Sequence, residues 1–270
     1  MGSILSIILT GGSKAMPLQL VTIPCLADNY AYLIHDRDSG QTAVIDVPEA
    51  GPILAALSAQ QWRLTQILIT HHHDDHIQGV DTLRARTGAM VLGARADAHR
   101  LPRLDLPLDE HASFAIGTEF ARVIEVPGHT IGHIAFHFPD SRLVFTADSL
   151  MAGGCGRLFE GTPRQMHASL QKLAALPPET LVCSGHEYTA SNLRFALTLE
   201  PDNPQLISRM AEVADKRAKG LPTVPVRLQD ELATNPYLRA HLPALKTAVG
   251  LPDADDATVF AEIRARKDKF

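Results

Sequence analysis

The stretch THHHDDH, residues 70–76, contains six consecutive side chains that could each ligate a metal ion. The preceding run QILIT is typical of a buried strand. Alternate residues of an extended chain point the same way, so His71 and His73 would share one side while His72 faces the other. Adjacent ligands serve two neighbouring ions more easily than they chelate one ion. The spacing therefore indicates a site for two metals.

An alternative is a helical zinc site in which His72 and His76 bind one ion, as in proteases with an HExxH motif. That mechanism needs a glutamate directly after the first histidine as general base. His73 occupies this position here. The alternative therefore lacks the residue on which its chemistry depends.

Further potential ligands follow strand-like runs at the points where each run gives way to a turn. They are His129 in VPGHT, Asp148 in FTADS and His186 in CSGHEY. Imidazoles suit zinc, and a carboxylate can bridge two cations. Each residue alone could be structural, but together with residues 70–76 they favour a functional site.

The elements that must position these residues change in kind along the chain. Up to His186, short β-like runs such as QLVTIP, YAYLIHD and HIAFHF alternate with helix-like stretches such as EAGPILAALSAQ. After His186 helical periodicity dominates, and no convincing strand is expected. We predict an α/β catalytic domain over residues 16–186 and an all-helical domain over residues 187–270. Residues 1–15 are interpreted as a disordered extension or tag.

Bulk composition excludes some classes of partner. Charged residues make up 20% of the 270 residues and the net charge is -5, so nucleic acid is not expected as a partner. The N-terminal apolar run is too short to span a membrane. Three cysteines without CxxC spacing fit a reducing compartment. We therefore expect a cytoplasmic protein with no membrane partner. Composition has no bearing on oligomeric state, for which we expect a monomer.

The combined pattern T-H-x-H-x-D-H, P-G-H-T, a strand-closing aspartate and a final G-H resembles the metallo-β-lactamase superfamily. Within it, the chain resembles the glyoxalase II, or hydroxyacylglutathione hydrolase, family over residues 28–270. The supporting stretches are DNYAYLI, VPGHTIGHIAF, GCGRLFEGT, SGHEYTASNLRFA, EPDNP and IRARKDKF. This resemblance implies an αββα sandwich followed by a helical glutathione-binding domain.

The resemblance also implies two divalent metal ions, with zinc expected and iron or manganese as alternatives. His72 and Asp74 fall on variable positions of the motif, and His133 on a structural or supporting one. The implied ligands are His71, His73 and His129 for one ion, Asp75, His76 and His186 for the other, and Asp148 as the bridge.

The implied reaction is hydrolysis of S-D-lactoylglutathione and other 2-hydroxyacyl glutathione thioesters to glutathione and the acid, here D-lactate. It is the second step of methylglyoxal detoxification. Two cations sharing a water lower its pKa from the high value of bulk water towards about 7, which provides hydroxide at neutral pH. Asp75 and Asp148 count as catalytic together with this hydroxide. The thiolate leaves without a dedicated acid because the pKa of its thiol is only about 8.5.

Glutathione carries two carboxylates, so its binding calls for cations. Arg264 and Lys267 match the family positions that hold the glycine carboxylate, and their i, i+3 spacing puts them on one helix face. Arg157 and Tyr188 match two further glutathione contacts. Phe159 stands where some relatives have tyrosine, and the lost hydrogen bond would cost about 1 kcal/mol of affinity.

Three alternatives remain open from the sequence. A glutathione persulfide dioxygenase of the same fold would use one iron and lack the helical C-terminal domain. A lactonase of the superfamily would not need the Arg264 and Lys267 pair. A metal-stabilised binding module would leave seven convergent ligands unexplained, because a closed structural site needs only four.

Overall fold

The computed structural model describes residues 18–270, so the predicted N-terminal extension lies outside the described residues. The chain forms two compact units. The first runs to Glu125 and includes Gly132–Phe145; the second comprises Val126–Ile131 and Thr146–Phe270. The boundary at residue 186 stays a prediction.

The first unit contains a six-stranded sheet whose strands follow one another in chain order. Strands β1 to β3 are antiparallel, and β3 to β6 are parallel. Parallel neighbours need crossover connections, and α1 and α3 supply them on either side of β4. The elements are β1 (Leu18–Cys25), β2 (Asn29–Asp36), β3 (Thr42–Ile45), α1 (Ala50–Gln60), β4 (Gln66–Leu68), α2 (Asp74–Ile77), α3 (Val80–Thr87), β5 (Met90–Ala94) and β6 (Leu106–Leu108).

An apolar core supports this sheet. Ile53 of α1, Leu83 of α3 and Ile67 of β4 are fully buried within one hydrophobic cluster. Three antiparallel strands and the first part of a fourth, β10, which pairs with β9, complete the first unit. These strands are β7 (Ser113–Ile116), β8 (Glu119–Glu125), β9 (Ile134–Phe138) and β10 (Leu143–Ala147).

The second unit is mostly helical, as the sequence predicts for its C-terminal part. Two of its helices have side-chain N-caps, a capping box of Thr162 and Gln165 at α4 and Asn203 at α6. Its elements are β11 (Leu150–Met151), β12 (Gly154–Cys155), α4 (Pro163–Ala174), β13 (Leu181–Ser184), α5 (Thr189–Leu199), α6 (Pro204–Ala218), β14 (Val226–Arg227), α7 (Leu228–Thr234), α8 (Pro243–Ala248) and α9 (Asp256–Lys267).

One sequence expectation is wrong. A strand does follow His186, because β14 pairs antiparallel with β13. It has only two residues, which is too short to produce the alternation by which strands are recognised.

Between residues 18 and 270, every helix falls short of the length and apolarity that a bilayer crossing requires.

Candidate metal centre

Three histidines of the first unit converge where β4 leads into α2. The ring centroid of His71 lies 4.8 Å from that of His73 and 4.2 Å from that of His76. His71 and His76 are fully buried. Helix α2 begins at Asp74 with His73 as its N-cap, so His72 precedes the helix. The structure therefore gives no helical His72 and His76 pair of the protease type.

Asp75 stands beside this group. Its Oδ2 atom lies 3.8 Å from Nε2 of His76. The Nδ2 atom of Asn29 donates hydrogen bonds to this carboxylate at 3.0 Å and to the backbone carbonyl of Asp75 at 3.1 Å. The side chain of Asn29 therefore holds both the side chain and the backbone of Asp75.

The Nδ1 nitrogens of two histidines have oxygen partners. Nδ1 of His76 lies 2.8 Å from Oδ2 of Asp46, and Nδ1 of His71 lies 3.0 Å from the hydroxyl of Thr70. Asp46, His71 and His76 each offer a ligand atom within 4.8 Å of the others. Histidines that bind metal commonly donate their second N–H to a carboxylate or another oxygen. These contacts of Nδ1 leave Nε2 of His71 and Nε2 of His76 as the atoms that could bind a metal ion.

Sequence reasoning missed Asp46 and Asn29. Asp46 directly follows β3 in TAVIDV, and a polar residue at a strand end is the signal that could have marked it. Its carboxylate also accepts hydrogen bonds from the backbone N–H and the hydroxyl of Thr70, at 2.9 and 2.8 Å. Asn29 begins β2 and has no comparable signal.

The remaining residues of the motif have other surroundings. Nδ1 of His72 lies 3.2 Å from Oδ2 of Asp97, and Nε2 of His72 lies 3.3 Å from Nη1 of Arg100. Asp74 is exposed. The ring of His133 is stacked on that of His71, with centroids 4.6 Å apart and planes 12° apart. His133 thus supports a predicted ligand through ring packing.

The second unit brings the other three predicted ligands together around one carboxylate. Oδ2 of Asp148 lies 3.4 Å from Nε2 of His129 and 3.3 Å from Nε2 of His186. All three residues are buried. The Nδ1 atom of His129 donates to the carbonyl of Arg157 at 2.7 Å, so its Nε2 is left as the ligand atom. One carboxylate oxygen next to two imidazoles suits a bridge between two cations.

Local structure explains why these ligands lie at turns. Asp148 follows β10 and His186 follows β13. His129 comes directly after Gly128, whose φ is 154°. A Cβ on Gly128 would lie 2.5 Å from the sulfur of Met166 in α4, so only glycine lets the turn pack this closely.

The predicted glutathione-binding cations lie on α9. Arg264 is buried, donates through Nη1 to the carbonyl of Cys155 at 3.0 Å, and pairs through Nη2 with Asp268 at 2.9 Å. Nζ of Lys267 donates to the carbonyl and the hydroxyl of Ser191, both at 3.2 Å. Burial, followed by the charges of Arg264 and Arg194, lowers the pKa of Lys267 to about 8.

The other predicted substrate residues are more exposed. The Nε atom of Arg157 lies 3.7 Å from Oδ1 of Asp268, the same oxygen that accepts from Arg264. Phe159 is 61% exposed and meets the ring of His129 nearly edge-on, with centroids 5.3 Å apart. The ring of Tyr188 stacks on that of His186 at 4.8 Å. Phe159 and Tyr188 thus each contact a predicted metal ligand.

Comparison with known proteins places this geometry in a family. Residues 28–186 match the metallo-beta-lactamase superfamily, and residues 187–270 match the hydroxyacylglutathione hydrolase C-terminus. A hydroxyacylglutathione hydrolase of Cereibacter sphaeroides is 67% identical over 255 residues, which are 94% of this chain and 100% of the relative. The chain belongs to the hydroxyacylglutathione hydrolase family. The family resemblance predicted from the motifs is thereby confirmed.

Solved structures agree on the fold. A B3 metallo-beta-lactamase, BLEG-1, aligns with a TM-score of 0.64 at 22% identity, over 82% of this chain and 99% of its own. The protein TTHA1623, solved in a di-iron-bound form, aligns with a TM-score of 0.53 at 31% identity, over 62% of this chain and 91% of its own. The predicted α/β metallo-β-lactamase fold with a helical C-terminal region is confirmed. The family and the histidine and aspartate groups together indicate a divalent metal.

Proposed function

We propose that the protein hydrolyses S-D-lactoylglutathione and related 2-hydroxyacyl glutathione thioesters to glutathione and a 2-hydroxy acid. The observation that carries this proposal is the 67% identity, over the full length of the relative, to a hydroxyacylglutathione hydrolase. The chemistry of the site agrees with it, because its buried donors are imidazoles and carboxylates, which suit a hydrolytic metal centre.

The proposed centre holds two ions. The position of Oδ2 of Asp148 within 3.4 Å of two imidazole nitrogens supports a bridging carboxylate. The di-iron form of TTHA1623 supports the number of ions. Zinc is the proposed metal, since nitrogen and oxygen donors bind it well. The proposed ligands are His71, His73 and His129 for one ion, Asp75, His76 and His186 for the other, and Asp148 for both.

Two such ions, when bound, supply a nucleophilic oxygen at neutral pH and stabilise negative charge on the thioester carbonyl. The chain's own residues keep the donor atoms in place. Asp46 holds the Nδ1 atom of His76, and the carbonyl of Arg157 holds that of His129. Asn29 holds Asp75. The leaving thiolate needs no acid from the protein because the pKa of its thiol is about 8.5.

Arg264 and Lys267 are proposed to receive the glycine carboxylate of glutathione. Arg264 is fixed by Cys155 and Asp268, so its guanidinium keeps one orientation and loses little entropy on binding. Arg157 and Tyr188 are proposed as further contacts. Phe159 has an apolar ring without a hydrogen-bonding group at a position where some relatives have tyrosine.

The alternatives are less well supported. A one-iron persulfide dioxygenase or a lactonase does not account for the match of residues 187–270 to the hydroxyacylglutathione hydrolase C-terminus. A monomeric state and a cytoplasmic location stay predictions, as does the lack of nucleic acid and membrane partners.

The test compares hydrolysis of S-D-lactoylglutathione with that of a thioester lacking the glutathione moiety, with metal analysis on the same sample. We expect two divalent ions per chain and a strong preference for the glutathione thioester. Asp148→Asn, which removes the bridging charge, should lose metal and most activity. Equal rates on both thioesters would refute the glutathione site, and consumption of oxygen with one iron per chain would support the dioxygenase.

A further inference from the structure

A polar network lies buried in the second unit at the end of α7. Glu231 is fully buried, and its carboxylate accepts hydrogen bonds from the backbone N–H of Gly153 and from Nδ2 of Asn235, both at 2.8 Å. It also accepts from Nη2 of Arg209. A buried carboxylate is costly unless it is paired and hydrogen-bonded. These partners therefore hold Glu231 in a defined position.

The network binds the backbone of the β11–β12 hairpin. The two hydrogens on Nδ2 of Asn235 are shared among three acceptors, which are the Glu231 carboxylate and the carbonyls of Met151 at 3.2 Å and Gly154 at 2.9 Å. Nδ2 of Asn192, on α5, donates to the carbonyl of Ala152 at 3.1 Å. Side chains of α5 and of the end of α7 thus satisfy successive polar groups at the tip of this hairpin. The helices therefore determine where the hairpin lies.

The same segment continues directly to the proposed metal ligands. Two residues beyond β12, the carbonyl of Arg157 accepts the hydrogen bond from Nδ1 of His129 at 2.7 Å. A Cβ built on Gly156 would lie 2.0 Å from the carbonyl oxygen of Asp148 and 2.9 Å from Nδ1 of His129. The backbone at Gly156 packs directly against both ligands, with no room for a side chain between them. A small displacement of this segment would therefore shift the positions of His129 and Asp148.

We propose that Glu231 and Asn235 are positioning residues for the metal centre. They fix the β11–β12 hairpin, and through it the Arg157 carbonyl that orients His129 and the backbone of Asp148. This inference rests on the proposed function, because it assumes that His129 and Asp148 bind metal. Partners that orient a ligand typically contribute 10- to 100-fold to metal affinity.

The test uses the full-length, metal-loaded protein and two variants. Asn235→Ala removes the amide that joins two hairpin carbonyls to Glu231. Glu231→Gln is milder at the hairpin, because its amide oxygen can still accept from Gly153 and Asn235. Its amide nitrogen then replaces the oxygen that faces Arg209, so the charge and the hydrogen bond from Nη2 of Arg209 are both lost. Three properties are measured: the chelator concentration that removes half the metal, the visible spectrum of the cobalt(II)-loaded protein, and the thermal midpoint.

Glu200→Gln is the matched control. Glu200 forms a two-bond ion pair with Arg239 in the same unit, at 2.6 and 3.0 Å, and this pair does not include the hairpin. The control should lose thermal stability while its chelator midpoint and cobalt spectrum stay those of the unsubstituted protein.

For Asn235→Ala we expect metal loss at about 10-fold less chelator and a shifted cobalt spectrum, with the same changes, smaller, in Glu231→Gln. The inference is overturned if both variants keep the unsubstituted midpoint and spectrum and differ only in thermal stability. If Asn235→Ala does not fold, Glu231→Gln alone decides. A protein that takes up no metal before any substitution would overturn the proposed function as well, whereas metal binding with unaffected variants overturns only this inference.

Discussion

Oδ2 of Asp46 lies 2.8 Å from Nδ1 of His76, and both side chains are buried. The carboxylate can accept only if Nδ1 carries the proton, so the contact leaves the lone pair of His76 on Nε2. Asp46 also accepts two hydrogen bonds from Thr70, the residue before the first histidine of the motif. One carboxylate therefore positions both ends of the ligand loop.

Asp46→Asn should weaken metal binding more than it weakens the fold. The carboxylate accepts from the Thr70 N–H with one oxygen and from the Thr70 hydroxyl and His76 with the other, whereas the amide has only one oxygen. If that oxygen keeps the bond from the Thr70 N–H, the amide nitrogen faces Nδ1 of His76 and cannot accept from it. We expect 10- to 100-fold lower metal affinity, measured by competition with a chelator, and a parallel fall in activity at limiting metal.

Asp105→Asn is the control for this prediction. Asp105 also accepts from a backbone N–H and a side chain, those of Val91 and Arg84, in the same unit. Equal metal affinities in the two variants would show that Asp46 has only a structural role.

The residues that hold the predicted ligands in place, such as Asp46, could not be predicted from the sequence. The sequence predicts the strands and helices whose hydrophobic periodicity is clear. It also predicts the ligand loop of residues 70–76 and the further ligands His129, Asp148 and His186, because the types and spacing of potential ligands can be read from one sequence. Asp46 is 30 residues from His76 and Glu231 is 78 residues from Gly153. Such contacts depend on tertiary packing. Strands of two to four residues, such as β6, β7 and β14, are too short to show periodicity.

His72→Ala should be far milder than His73→Ala. His72 is bound to Asp97 and Arg100, and Asp97 keeps its own pair with Arg100 at 2.6 Å when the imidazole is removed. We expect activity within about threefold of the unsubstituted protein and a loss of about 1 kcal/mol in the free energy of unfolding. His73→Ala should lose metal and most activity. Metal content and turnover measured on both variants check the contrast, and comparable losses would contradict the assignment of His72.

The affinity for the substrate should fall as pH rises through about 8. The pKa of Lys267 is lowered from 10.5 to about 8, so the cation that faces the glutathione carboxylate is lost above that pH. KM should rise up to about tenfold between pH 7 and 9, following the charged fraction of Lys267.

Between pH 8 and 10.5 the unfolded chain binds more protons at this lysine, so the contribution of Lys267 to folding stability rises with pH there.

Lys267→Arg is the matched control for this pH dependence. Arginine stays charged throughout the range, so KM of this variant should vary less with pH. The ammonium group of the substrate titrates equally in both measurements, and the difference between the two proteins isolates Lys267. Parallel KM profiles for the two proteins would remove Lys267 from the substrate site.

Phe159→Tyr should improve substrate binding. Phe159 is 61% exposed beside His129 and stands where some relatives have tyrosine. A hydroxyl that donates to the substrate would contribute about 1 kcal/mol, or about fivefold in KM, with little change in kcat. Phe120→Tyr is the control, because Phe120 is 64% exposed on β8 and is not among the predicted substrate contacts. If both variants keep the original KM, a tyrosine at position 159 makes no hydrogen bond to the substrate in this protein.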